Sequence, residues 1–112
     1  SSTDGFVVEP VMKDNLSGLP RKFILHQNYP NPFNPTTEIL YELPRASNVG
    51  LTVYNILGQE VIKLVDGFET AGAHSVIWNG CDSYGSAAAS GIYFYRLQSD
   101  EFSDQKKMIL LK

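Results

Sequence analysis

The chain has 112 residues, a formal net charge of −3 at pH 7, 43% hydrophobic and 19% charged residues. That is one ordinary domain, apolar enough to fold around a single core, with little room left for an enclosed active site. Nothing in the charge suggests the clustered basic footprint of a nucleic-acid binder, the only dense basic spot being Lys106-Lys107 with Lys112; no apolar run approaches the roughly 18 residues of a membrane helix, and the lone Cys81 rules out an internal disulfide.

Residues 1–20 carry two prolines and no sustained period, and read as a linker or the end of a preceding module. Ser1 to Pro10 lacks the basic and apolar regions of a signal peptide, as would any piece of a longer precursor. Phe23 to His26 is a short strand candidate. Asn28 to Pro35 follows, with Pro30, Pro32 and Pro35 pushing their neighbours to extended geometry and excluding both a helix and a central strand. Tyr29 and Phe33 are expected to pin this segment to the core.

Thr37, Ile39, Tyr41 and Leu43 alternate with Glu38, Leu40 and Glu42, the period of a half-buried strand. Val49, Leu51 and Val53 repeat the pattern. Asn55 to Gln59 reads as a turn with Gly58 at positive φ, and Glu60 to Val65 as the returning strand of a hairpin over 49–65. Asp66-Gly67 and Ala71-Gly72 bracket an expected loop. His74, Val76 and Trp78 then share one strand face, with His74 expected to pack on the core or cap a loop. Asn79 to Ser90 is turn-rich. Gly91 to Gln98 is rich in aromatic and β-branched residues, Asp100-Glu101 makes a turn, and Phe102 to Leu111 forms the last strand.

Seven short strands with turns between them and no helix predict an all-β, immunoglobulin-like sandwich. No metal or cofactor is expected. Two separated histidines and one cysteine do not form a zinc pattern, and Asp82 to Gly85 reads either as an Asx-turn or as a poor oxygen-ligand calcium loop. No nucleophile and base stand in a catalytic pattern, so the chain is expected not to be an enzyme. A sugar-binding platform would need exposed rings, and the only tryptophan, Trp78, is placed in the core.

Four blocks carry a resemblance over residues 25–112. They are Asn28-Tyr29-Pro30-Asn31-Pro32-Phe33-Asn34-Pro35-Thr36-Thr37, Val53 to Val61, Gly72 to Gly80, and Ala89 to Leu97, closing on Lys106-Lys107-Met108-Ile109-Leu110-Leu111-Lys112. In this order they resemble the type A C-terminal sorting domain of the type IX (Por) secretion system. The third and fourth blocks also resemble the Ig-like domain of flagellar hook-capping proteins. Departures are Asn79 where Asp is frequent and Cys81 where a polar residue is usual.

The sorting-domain resemblance implies a non-catalytic address label on an upstream cargo domain in the same precursor. Its partners would be the outer-membrane translocon and a sortase-like protease, with no nucleic acid and no membrane insertion. The route runs through the periplasm to a secreted or cell-surface location, with cleavage in the linker before Arg21. Sorting candidates are Lys106, Lys107, Met108, Leu110, Leu111 and Lys112, with Gly91 and Tyr93. Asn28, Pro30, Pro32, Phe33, Pro35, Gly58, His74, Trp78 and Gly80 are the structural motif. A surface adhesion or carbohydrate-binding module attached to an enzyme is the alternative. The last strand is expected to expose an unpaired edge that a receptor could extend by strand addition, guarded by its lysines. Its end is therefore expected to matter more for sorting than for folding.

Overall fold

Alternation at period two commits each apolar face to one side of a sheet, and two such faces close on each other. The computed structural model, which describes residues 20–112, realises this as seven strands: β1 (Ile24–Leu25), β2 (Thr37–Leu43), β3 (Ser47–Asn55), β4 (Glu60–Glu69), β5 (Gly72–Trp78), β6 (Gly91–Ser99) and β7 (Ser103–Leu110). The linker expected over residues 1–20 lies outside the described residues except for Pro20. All pairings between these strands are antiparallel. One sheet has the order β1-β2-β5 and the other β4-β3-β6-β7, so the chain changes sheets after β2, β4 and β5. The all-β immunoglobulin-like expectation holds.

The core is the set of residues that the alternation selects. Ile39, Tyr41 and Leu43 of β2 and Trp78 of β5 face Val49, Leu51 and Val53 of β3, Tyr95 and Leu97 of β6, and Met108 and Leu110 of β7. Thr52 is buried as well, beside a register shift between Leu51 and Thr52, where an extra residue on β4 turns the local face.

Two expectations are corrected. β4 does not end at Val65. β3 begins at Ser47 and supplies ladder partners for Asp66, Gly67, Phe68 and Glu69, and a paired backbone overrides the turn tendency of Asp66-Gly67. Tyr29 does not pin the proline-rich segment by its ring, which is 79% exposed. Its backbone does so instead, exchanging hydrogen bonds with Glu38 at 3.0 and 2.9 Å.

Candidate functional site

The end of β7 is the place to which the sequence blocks converge. β7 is the outermost strand of its sheet, so one row of its backbone groups has no neighbouring strand. The proline-rich segment lies along that row. Its prolines cannot donate, but Phe33 keeps its amide, which donates to the Ile109 carbonyl at 2.9 Å, and the Leu111 amide donates to the Phe33 carbonyl at 2.9 Å. The Ile109 amide donates to Asn31 Oδ1 at 3.0 Å, and Gln27 Nε2 donates to the Lys107 carbonyl at 2.8 Å. The edge expected to be open is covered from Lys107 to Leu111, and the tail is docked rather than loose.

Behind this clamp lies an aromatic cluster. The Phe33 ring sits 5.6 Å from Trp78, and Tyr93 meets Trp78 edge-on at 5.5 Å. All three are buried. Trp78 Nε1 donates to the Cys81 carbonyl at 2.8 Å and the Tyr93 hydroxyl to the Ala89 carbonyl at 2.6 Å, so the polar tips of both rings are satisfied. Gly80 has φ +81, and a Cβ there would stand 2.9 Å from the Pro35 carbonyl oxygen. Only glycine lets the loop after β5 approach the proline segment so closely.

Asn28 anchors the start of that segment. It is buried; its amide donates to the Tyr95 hydroxyl at 2.8 Å, and its Nδ2 donates to Thr37 Oγ1 at 2.9 Å and to the Pro30 carbonyl at 3.1 Å. The Tyr95 hydroxyl in turn donates to the His26 carbonyl at 2.7 Å. Burial pushes the Tyr95 phenol up to about 12; the Asn28 hydrogen bond opposes that rise and the charge of Asp104 adds to it. Burial also raises the Tyr93 phenol. Tyr95 is not among the sequence candidates; its signal is a tyrosine in the middle of an apolar run, needing a partner for its hydroxyl.

Of the candidates, Phe33, Trp78, Gly80, Gly91, Tyr93, Met108, Leu110, Leu111 and the proline segment with Asn28 come together at this end. Gly91 pairs with Leu110 and Tyr93 with Met108. Gly58, at φ +82, closes the β3–β4 turn beside them, where Asn55 Oδ1 accepts from the amides of Leu57 and Gln59. His74 does not belong here. Its ring stacks on Tyr41 at 5.4 Å near the opposite end, with Nδ1 3.2 Å from Glu69 and Nε2 2.7 Å from the Thr70 carbonyl. The lysines do not form one patch. Lys106 is half-buried on the face of Met108 and Leu110, whereas Lys107 is exposed on the face of Ile109.

The end presents an apolar surface. Leu57 is 78% and Leu111 51% exposed. A shallow groove of about 230 Å³ runs between Asn55–Leu57 and Ser90–Tyr93, and Ile92 on its rim pairs across the sheet with Ile109. In the loop after β5, Asp82 is engaged as a turn residue, its Oδ1 accepting from the amides of Tyr84 and Ser86 at 2.9 Å each. Among the described residues no three metal-ligating side chains gather in one place.

The family model of the FlgD Ig-like domain matches residues 33–101. No curated protein matches the chain. Among solved structures, PorZ from Porphyromonas gingivalis, described as an essential bacterial surface component of the type-IX secretion system, is 19% identical with a TM-score of 0.57, over 87% of this chain and 12% of that one. Dimeric latent PorU from the same organism is 18% identical with a TM-score of 0.65, over 95% of this chain and 10% of that one. FlgD from P. aeruginosa is 31% identical with a TM-score of 0.53, over 67% of this chain and 59% of that one. The chain thus spans about a tenth of PorZ and of PorU.

Proposed function

The chain belongs to the family of FlgD Ig-like domains, and we propose that within this family it serves as a non-catalytic C-terminal sorting module of a type IX secretion system. It is recognised rather than reactive. A cargo domain ahead of it in the same precursor reaches the periplasm. The outer-membrane translocon then docks on the tail end of the sandwich, and the cargo is delivered to the cell surface or beyond. A sortase-like protease removes the module at the linker before Arg21. The four sequence blocks and the fold shared with a surface component of a type IX secretion system support this reading.

The observation that carries it is the clamp on β7. Phe33 holds Ile109 and Leu111 by main-chain hydrogen bonds and the Asn31 side-chain oxygen accepts from the Ile109 amide, while Leu111 and Lys112 are exposed. A tail held in one pose is recognised without the ordering cost that a loose peptide incurs. Arg21 lines a depression with Phe23, Pro44 and Phe102 at the opposite end of the sandwich, so cargo and receptor approach from opposite sides.

The test uses surface residues, because core changes confuse recognition with folding. A reporter fused to the 112-residue chain carrying Leu111→Asp and Lys112→Glu should stay unsecreted by a type IX-competent host, while the purified variant melts as the wild type does. Normal secretion of that fusion would overturn the proposal.

A further inference from the structure

At the end of the sandwich away from the tail, the outer face of the β4-β3-β6-β7 sheet is hollow. Gly50 contributes no side chain there. Its ladder partners are Asp66 on β4 and Gln98 on β6. One row further out Asn48 pairs with Phe68, and Asp100 follows the end of β6. The result is a groove of about 400 Å³, floored by Gly50 and Gly67 and walled by Asn48, Asp66, Gln98 and Asp100. These four side chains are exposed. Phe68, on the face of Asp66, is 66% exposed. Lys63, 3.9 Å from Asp66, adds a donor at one side.

We propose that this groove is a binding site for an uncharged sugar ring, a hexopyranose unit of a surface polysaccharide. Two carboxylates accept and two carboxamides both donate and accept, and the exposed Phe68, the ladder partner of Asn48, stands just outside the lining with an apolar ring face. A pyranose has this complement: hydroxyls around its edge, each a donor and an acceptor, and a C–H face for the phenyl ring. A phosphate or other anion would meet Asp66 and Asp100. A flat apolar ligand would leave the polar walls of Asn48, Asp66, Gln98 and Asp100 without partners. A few convergent polar groups around a concave site fix a ligand's orientation. The site lies at the other end from the tail and is independent of the sorting proposal.

The experiment titrates the ¹⁵N-labelled 112-residue chain with cellotriose, maltotriose and chitotriose, followed by amide chemical shifts. The expected result is saturable movement confined to residues 48–50, 66–68 and 98–100 with at least one of these sugars. Gly50→Val should fill the floor without disturbing the sheet, because a Cβ at that position meets nothing nearer than the Val65 carbonyl at 3.9 Å. That variant and Phe68→Ala should each weaken binding by about tenfold or more, roughly 1.4 kcal/mol, with unchanged melts. The proposal is overturned if none of the three sugars moves these amides, if the movement is non-saturating or lies elsewhere, or if a folded Gly50→Val binds as tightly as the wild type.

Discussion

The two ends of the sandwich are closed by different physics. At the tail end, the groups that matter are buried: Phe33, Trp78 and Tyr93 pack ring on ring, Asn28 is hydrogen-bonded through its amide and its side chain, and the edge of β7 is covered by main-chain and side-chain bonds. At the opposite end, beyond the buried Tyr41 that bonds Glu69, the closing contacts lie at the surface. Phe23 stacks on Phe102 at 5.2 Å, the Arg45 guanidinium sits 5.6 Å over the Phe23 ring and pairs with Glu101, and both charged side chains are more than half exposed. A buried donor or acceptor that loses its partner incurs its full desolvation cost, whereas an exposed ion pair is worth little. The tail end is therefore shaped rigidly by the fold itself, while the opposite end can vary in sequence at small cost. A surface that must be recognised in one pose is better placed at the first.

The largest effect should come from the tail-end cluster. Trp78→Ala removes the central ring between Phe33 and Tyr93 and leaves the Cys81 carbonyl without its donor. It should destabilise the domain by about 3–5 kcal/mol, a large part of the about 5–15 kcal/mol that a domain has. Urea unfolding measures it, and a loss below about 1 kcal/mol would contradict the buried closure.

Deleting Leu110 to Lys112 comes next. Leu110 is fully buried and Leu111 supplies one of the clamp bonds, so the truncation should cost about 2–5 kcal/mol, as for a core leucine. This reverses the expectation that the tail contributes little to folding. It also means that lost secretion in such a truncation says nothing about recognition, which is why the Leu111 and Lys112 surface variant is the sharper probe. A wild-type-like melt of the truncated chain would show that the clamp is not holding the strand.

Much of this contrast was readable in the sequence, and the reason for each gap is physical. The faces of β2 and β5, the turn at Gly58 and the inward Trp78 follow from period-two alternation and local turn chemistry, which act over a few residues. The clamp joins Phe33 to Ile109 and Leu111, and the Asn28–Tyr95 bond joins residues 67 apart. No local pattern encodes such pairings. The link between the sheets near His74 was hidden for the same reason: the Tyr41 hydroxyl donates to Glu69 Oε1 at 2.9 Å, and Glu69 lies on a stretch of β4 where a loop was expected. Tyr29 departs from the expectation because aromatic character alone suggests burial, whereas here the backbone does the anchoring.

Tyr95→Phe probes the polar part of the tail-end closure. Losing the hydroxyl strands the Asn28 amide and the His26 carbonyl, at about 1–3 kcal/mol. The same residue sets an alkaline limit. Its phenol is pushed up to about 12 in the fold against about 10 in the unfolded chain, so the folded state keeps a proton that the unfolded state releases. The stability it contributes is whole below about pH 10 and is lost as pH rises through 12, about 2–3 kcal/mol in all. Burial, with the hydrogen bond to Glu69, raises the Tyr41 phenol in the same direction. Equilibrium melts between pH 9 and 12 should fall steeply for the wild type and less steeply for Tyr95→Phe; parallel curves would remove Tyr95 from the account.

The smallest effect should come from the opposite end. Arg45→Ala breaks the pair with Glu101 and the contact over Phe23. An exposed ion pair contributes about 0–1 kcal/mol and an exposed cation–π contact about 0.5–1 kcal/mol, and the two share one guanidinium, so the total should stay near 1 kcal/mol. Phe23 and Phe102 remain stacked without it. Raising the salt concentration should recover little in the variant and weaken the wild type slightly, because only the ionic part is screened. The comparison between the two ends rests on this number being small. If Arg45→Ala costs as much as Trp78→Ala, surface charge closes its end as firmly as buried rings close the other, and rigidity no longer distinguishes the tail end as the proposed recognition surface.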